Sequence, residues 1–443
     1  MPLPPGPDLH PAILMWRWIR TPFELLEGCQ ARFGDVFTVN LPFNDKIGLV
    51  AIADPSAIKE IFGFGPDEAH AGEANIVLRP FLGHHSLLLL DGAAHLRHRK
   101  MILPAFHGER MLAYGRTMMD LALETIERFP MRRPFPVHGA MQSLTLQVIV
   151  RTVFGVEEGP RFAELADVLA KSLDASAWPG LLFPFMQRDL GPLSPWGRWL
   201  RLRNRASDLI FAEIRRARAA NDEGRTDVLS MMLETELTDE EIHDELVTLL
   251  VAGHETTATS LAWALRWILP NRKLLGELRE EIASAGDDPA KIAKLELLDD
   301  TVRETLRLQP VIPMVGRVIK EPMTIMGWDL PRNTLVAPSI HLVHRRPSLY
   351  PSPSEFDPRR FRTFKPAAWE FLPFGGGLRK CIGESFAIYE MKMVLATLLP
   401  RVEMRLARDD VRVSRRSITL TPSHGLPVVV TSRLSPAASR RAA

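Results

Sequence analysis

The chain has 443 residues, 46% of them hydrophobic, with 55 basic and 53 acidic side chains. That length can bury a large core, and a net charge of +2 argues against a general nucleic-acid binder. Only Cys29 and Cys381 are present, which argues against a disulfide framework and fits a reducing cytoplasm.

No Gly/Ser linker, low-complexity tract or internal repeat divides the sequence, so one domain over residues 1–443 is expected. No run of about 18 apolar residues suggests a membrane span. The apolar piece Ala12 to Trp18 is interrupted by Arg17 and lacks a signal-peptide cleavage pattern. The opening Met-Pro-Leu-Pro-Pro-Gly-Pro is stiff and extended.

In chain order, Pro22 to Phe33 reads as an amphipathic helix. Residues 35–40 and 47–52 read as two strands joined by a turn near Asn44 and Asp45, and a short helix follows Pro55. Cys29, in the first of these, reads as structural. Residues 64–92, rich in Gly, His and Pro, read as an irregular candidate binding loop. Helices dominate from Ala93 to about residue 311. Alternation returns from Val411 to Val430, with a turn expected at Pro422 to Gly425. The fold class is mainly α (α+β), with small sheets near both ends.

Several stretches carry chemistry. His95 and Arg99 are four apart in a basic cluster, hence on one helix face, and such a face can clamp carboxylates. The stretch from Leu173 to Met186, with two prolines, a glycine and large apolar groups, reads as a loop with apolar tips. Thr238 and Glu241 form a capping box that opens a helix running to about Leu269. This helix is apolar on most faces, yet its middle reads Ala252-Gly253-His254-Glu255-Thr256-Thr257. A glycine, an acid and two threonines break the local rules for a buried helix, and such violations mark functional sites. Ala252 and Gly253 would let a flat cofactor approach, a threonine hydroxyl can bond back to a carbonyl, and Glu255 can pass protons.

Glu304 and Arg307 stand one turn apart on a helix from Leu298 to Leu308. The stretch Phe374-Gly375-Gly376-Gly377-Leu378-Arg379-Lys380-Cys381-Ile382-Gly383 is the most specific. Its glycines allow close backbone approach to a flat group. The basic pair before the sulfur and the helix starting near Gly383 favour a thiolate able to ligate haem iron.

Five fixed positions in that stretch (Phe374, Gly377, Arg379, Cys381 and Gly383) resemble the cysteine-loop signature Phe-x-x-Gly-x-Arg-x-Cys-x-Gly of the cytochrome P-450 family, the haem-thiolate monooxygenases. By chance they would meet in a chain this long roughly once in ten thousand. Ala252, Gly253, Glu255, Thr256 and Thr257 match the family's Ala/Gly-Gly-x-Asp/Glu-Thr-Thr/Ser, and Glu304 and Arg307 match its Glu-x-x-Arg.

The resemblance implies a triangular-prism fold, with haem b between the long helix and the cysteine loop. Cys381 would be the iron ligand, in a loop that also includes Phe374, Gly375 and Gly383. His95, Arg99, Arg317 and Arg379 would hold the propionates. Glu255 and Thr256 would manage protons. Glu304, Arg307 and Arg360 would be structural. The 173–186 stretch would be a lid, and the pocket would be lined by Leu87, Phe183, Ala252, Val311, Ile312, Met314, Ile418 and Thr419.

The implied reaction inserts one oxygen atom of O2 into an unactivated C–H bond of an apolar substrate of the fatty acid, terpenoid or steroid class. Electrons would come from a ferredoxin-type donor and its NAD(P)H reductase. That donor would dock on a basic patch of Arg97, Lys100, Arg379 and Lys380. A cytoplasmic, monomeric bacterial enzyme without a membrane anchor is expected. An atypical haem-thiolate enzyme (isomerase, desaturase or coupling enzyme) and a non-turnover haem sensor are the alternatives.

Overall fold

The computed structural model describes residues 3–41, 48–106, 110–156, 159–220 and 225–434. The turn expected near Asn44 and Asp45 lies outside them. The helix Pro22–Phe33 and the strands Val36–Val39 and Leu49–Ile52 form where their patterns predict.

The central helix runs from Asp239 to Ile268. Thr238 Oγ1 accepts from Glu241 N–H at 3.2 Å and Glu241 Oε2 accepts from Thr238 N–H at 2.9 Å, so both halves of the capping box are present. Its 30 residues extend about 45 Å. Leu246, Leu261 and Leu265 pack in one core with Met118, Val148 and Leu395 from neighbouring helices. Those neighbours are Arg110–Glu127, Val137–Thr152 and Glu384–Leu398.

A five-stranded sheet stands beside the helices, in the spatial order Val36–Val39, Leu49–Ile52, Leu335–Pro338, Arg317–Ile319 and Ala69–His70. Its one parallel pairing sets Leu49 against Leu335 and Ile52 against Pro338. Val50, Ile52, Ile319 and Val336 bury their side chains with Ile58 and Leu372 in a second core.

The C-terminal part departs from the expected single hairpin. Val413–Arg416 pairs with Thr419–Pro422, so the turn falls at Ser417 and Ile418, with Ser417 at φ 52°. Pro422 to Gly425 does not reverse one sheet. His424, Gly425 and Leu426 all take positive φ and pass the chain to another sheet. There Pro427–Arg433 lies between Pro134–Pro136 and Val402–Leu406. A turn-rich composition marks a change of direction but not which strands it separates.

Residues 64–92 are less irregular than their composition suggests. They hold the strand Ala69–His70 and helical turns at Ala71–Ala74, Ile76–Leu78 and Arg79–Leu82. In the stretch from Leu173 to Met186, the preceding helix continues to Ser176 and two short turns follow, Pro179–Leu182 and Pro184–Met186. No described helix is long and apolar enough to cross a membrane.

Candidate active site

A cavity of about 500 Å³ opens between the central helix and the cysteine loop. Cys381, Phe374, Gly375, Arg379 and Gly383 reach it from the loop, and His95 and Arg99 from the helix Gly92–Ile102. Ala252, Gly253, Glu255 and Thr256 reach it from the central helix, with Arg317 from the five-stranded sheet. Leu87, Val311, Ile312, Met314, Ile418 and Thr419 complete the expected wall.

Phe183 does not line the cavity. It packs against Phe185, with ring centroids 5.6 Å apart. Because the preceding helix runs on to Ser176, that stretch offers Ser172, Leu173, Ser176 and Ala177 to the cavity instead.

The cysteine loop closes on itself: Cys381 N–H donates to Phe374 O at 2.9 Å. Its three glycines serve different neighbours. A Cβ on Gly376 would come within 2.2 Å of the Phe62 ring, and one on Gly377 within 2.2 Å of the Phe62 carbonyl oxygen. Only Gly375, at φ 66°, faces open space, with Val315 at 3.9 Å. Two of the three glycines are thus required by packing on Phe62, and one leaves room in the cavity.

The cations expected to favour a thiolate are engaged elsewhere. Arg379 pairs with Asp91, and Lys380 Nζ lies 2.5 Å from Glu384 Oε2. Cys381 is exposed and lines the cavity, with its sulfur set deep among protein atoms. Burial therefore pushes its thiol pKa up, despite a backbone hydrogen bond from Gly383 and the nearby charges of Arg99 and Lys380. A bound metal cation overrides that penalty by replacing the proton. Among the described residues no three His, Cys, Asp or Glu side chains gather to hold a metal. An ion held by Cys381 must therefore bring its other ligands with it, as a porphyrin does.

The other end of the loop is a concentration of positive charge. Arg317 is buried and, among the described residues, donates to the carbonyls of Gly316, at 2.8 Å, and Gly376, at 3.4 Å. Burial and the neighbouring Arg379 bring its pKa down to about 10. Burial, then Arg379, Arg99 and Arg317, hold His95 down at about 3, so its ring is neutral. Asp91 is the carboxylate among them, and it also accepts from Gly72 N–H at 2.8 Å and Glu73 N–H at 3.0 Å. Three guanidiniums around one acid leave an excess of positive charge on an enclosed surface. Two further carboxylates satisfy it, which is the donor set that haem propionates need.

The basic surface patch is smaller than expected. Arg379 turns inward, and Arg97 is bound to Glu241 Oε1 at 3.0 Å. Arg97, Lys100 and Lys380 remain exposed, with Lys380 paired to Glu384.

On the central helix, Thr256 Oγ1 donates to Ala252 O at 2.6 Å. Glu255 accepts from Gln142 Nε2 at 2.7 Å and lies 3.4 Å from Arg416 Nε. Burial dominates its environment and raises its pKa, against Arg416, Gln142 and Thr259. Behind it, His254 is buried against Thr145 Oγ1 at 3.1 Å, and burial holds its pKa down at about 3.

Glu304, Arg307 and Arg360 form one buried cluster. Arg307 grips Glu304 in a two-point fork at 2.7 and 2.8 Å, and Arg360 Nε donates to the same carboxylate at 2.9 Å. Arg307 also donates to the carbonyls of His344 and Pro353, and Arg360 to that of Pro351. The cluster ties the helix Glu296–Leu308 to the segment leading into the cysteine loop.

Several partners carry no sequence signal. Asp91 meets Arg379 across 288 residues, and Glu245 meets His98 across 147. Glu245 also accepts from Leu87 N–H at 3.2 Å, and Asp244 from His84 and His85 N–H at 2.8 Å each. The central helix thus fixes the loop that carries Leu87.

The family model for Cytochrome P-450 matches residues 4–427. A protein of Mycobacterium tuberculosis with the provisional name cytochrome P-450 135B1 is 37% identical over 441 residues, covering 97% of this chain and 92% of that protein. Cytochrome P-450 135A1 of the same species, also provisionally named, is 34% identical, covering 96% of this chain and 94% of its own length. A solved structure of cyanobacterial CYP120A1 with retinoic acid bound superposes with a TM-score of 0.84 at 24% identity, over 98% of this chain and all of that one. The chain belongs to the cytochrome P-450 family. It has that family's fold, and it is a haem-thiolate monooxygenase of the haem b type.

Proposed function

We propose that this enzyme hydroxylates an unactivated C–H bond of an apolar substrate of the fatty acid, terpenoid or steroid class. It uses O2 and two electrons from a ferredoxin-type partner served by an NAD(P)H reductase, and acts as a cytoplasmic monomer. The observation that carries this reading is one cavity shared by the Cys381 loop and by Glu255 and Thr256.

Bound through Cys381, a haem would supply the oxygen chemistry. The chain's own residues do the rest. Arg99, Arg317, Arg379 and neutral His95 hold the propionates. The apolar wall of Leu87, Val311, Ile312 and Ile418 keeps water out and orients substrate by contact area. Thr256 Oγ, already donating to Ala252 O, keeps lone pairs free to accept a proton donor such as water. Glu255, whose pKa burial raises, keeps its proton to higher pH than a free carboxylate and can supply it along the helix. The exposed Lys100, beside the ion-paired Arg97 and Lys380, offers charge for an acidic redox protein, and reduction should slow as salt rises.

The test is a carbon monoxide spectrum of the reduced holoenzyme, then substrate-dependent NAD(P)H consumption with a ferredoxin system. A red-shifted band is expected, and it should vanish in Cys381→Ser. Substrate-independent NAD(P)H consumption without hydroxylated product would overturn the hydroxylase reading.

A further inference from the structure

The cavity wall far from Cys381 carries a cation that the chemistry above does not use. The helix Pro195–Ala220 bears many arginines, and most of them have acids. Arg201 stands 3.6 Å from Asp189, Arg205 pairs with Glu164, Arg216 lies 2.6 Å from Glu213, and Arg218 pairs with Asp239. Arg203 differs: it is half-buried, it lines the cavity, and no described carboxylate pairs with it. Its guanidinium lies 5.9 Å from the centroid of the Trp199 ring. Trp199 is in turn packed on Phe81 and Trp196, at 4.7 and 4.6 Å between centroids. The guanidinium thus sits over a packed aromatic wall, and the charge stands at the boundary of an apolar space.

The acids near this wall are already committed. Glu245 is bound to His98 at 2.7 Å, and Asp244 to His243 at 3.0 Å. Arg416, the other cation on the distal wall, is held by Asp174 at 2.6 Å. Hydroxyls accompany Arg203: Ser207 is one helical turn on, 2.8 Å from His243 Nε2, and Ser172 lines the same cavity. A lone guanidinium beside hydroxyl groups is the donor set that recognises a carboxylate.

The position sets a length. Ser207 contacts His243, which precedes Ala252 by nine residues and Thr256 by thirteen on one continuous helix. At about 1.5 Å per residue that is roughly 14 to 20 Å. A ligand touching both ends must be long.

We propose that the substrate is an acidic amphiphile, a long-chain carboxylic acid whose head binds Arg203 and whose apolar chain runs toward the Cys381 end of the cavity. This rests on the hydroxylase reading and narrows it from three substrate classes to one chemistry. A head anchored there fixes the register of the chain, so oxidation falls at the far end of the molecule.

Dodecanoic acid, its methyl ester and dodecan-1-ol should be titrated into the haem-loaded full chain by calorimetry. The acid should bind about tenfold or more tighter than either neutral analogue. Arg203→Gln should abolish that preference and leave ester affinity within about twofold. Equal binding of acid and ester by the wild type would overturn the proposal. So would an Arg203→Gln variant that weakens both ligands alike, since that is loss of packing on Trp199. The two readings separate cleanly. Selective binding of the acid without its oxidation sinks the hydroxylase assignment and leaves the head-group site standing. Equal oxidation of acid and ester, with equal affinity, does the reverse.

Discussion

Arg416 Nε lies 3.4 Å from the Glu255 carboxylate, while the same guanidinium holds Asp174 at 2.6 Å. One residue of the C-terminal hairpin therefore links the buried acid of the central helix to the end of the helix Pro160–Ser176. Burial raises the Glu255 pKa, and Arg416 is the first influence opposing it. Without Arg416 the carboxyl should stay protonated to still higher pH. Arg416→Gln is therefore expected to shift the alkaline limb of the pH–rate profile upward, and Glu255→Gln to abolish that limb. A profile unchanged in both variants would remove Glu255 from the proton supply.

The Glu304 cluster should behave as an all-or-none unit. Neither Glu304 nor Arg307 has any exposed side chain, so losing the acid leaves two buried guanidiniums uncompensated. Glu304→Ala should cost about 3–5 kcal/mol in denaturant unfolding and lower the haem content. Arg307→Lys should rescue little, because an ammonium cannot reproduce the two-point fork. Wild-type stability in Glu304→Ala would show that the pairs are dispensable.

His98 joins the helix Gly92–Ile102 to Glu245 at 2.7 Å and to Glu241 at 3.2 Å. Burial pushes its pKa down, but the two carboxylates reverse this and leave it above 6.5. A raised histidine contributes fully below its unfolded pKa and loses that contribution as pH rises through the folded one. His98→Gln should therefore destabilise more at about pH 6 than at about pH 9, read as thermal midpoints in matched buffers. Equal losses at both would mean that the proton does not matter.

Glu390 is fully buried in the helix Glu384–Leu398, its Oε1 has no hydrogen-bond partner, and burial lifts its pKa well above 4.5. The folded state keeps this proton longer than the unfolded chain does. Stability is thus fully present below the unfolded pKa and falls as pH rises through the folded value. Glu390→Gln should raise the unfolding midpoint at alkaline pH and change little at about pH 4. Destabilisation by Gln at alkaline pH would reveal an ionised, compensated carboxylate.

What could be read ahead was local. The capping box of Thr238 and Glu241 and the spacing of Glu304 and Arg307 lie within one turn, where periodicity alone brings side chains together. The cysteine loop packs its landmarks into ten residues. Pairings across the chain were hidden, because nothing near Arg379 points to Asp91 and nothing near Glu255 points to Arg416. Local composition also misplaced two features. Pro422 to Gly425 has the residues of a turn but moves the chain between sheets. Phe183 has the bulk of a pocket residue, but the helix before it ends too late to aim it inward. The glycines of the cysteine loop show a subtler limit: their presence was informative, while the neighbour requiring two of them, Phe62, is more than 300 positions away.

The tight turn at Ser417 and Ile418 gives the molecule an unusual freedom. Its two strands are secured through Thr419–Pro422 and, past the sheet switch, by a strand clasped on both sides. The tip reaching the cavity is therefore short, firmly mounted and outside every core cluster described above. Ser417 is held at φ 52°, but replacing Ile418 redraws the cavity wall without disturbing the frame, so new substrate preferences are within reach of a single substitution there.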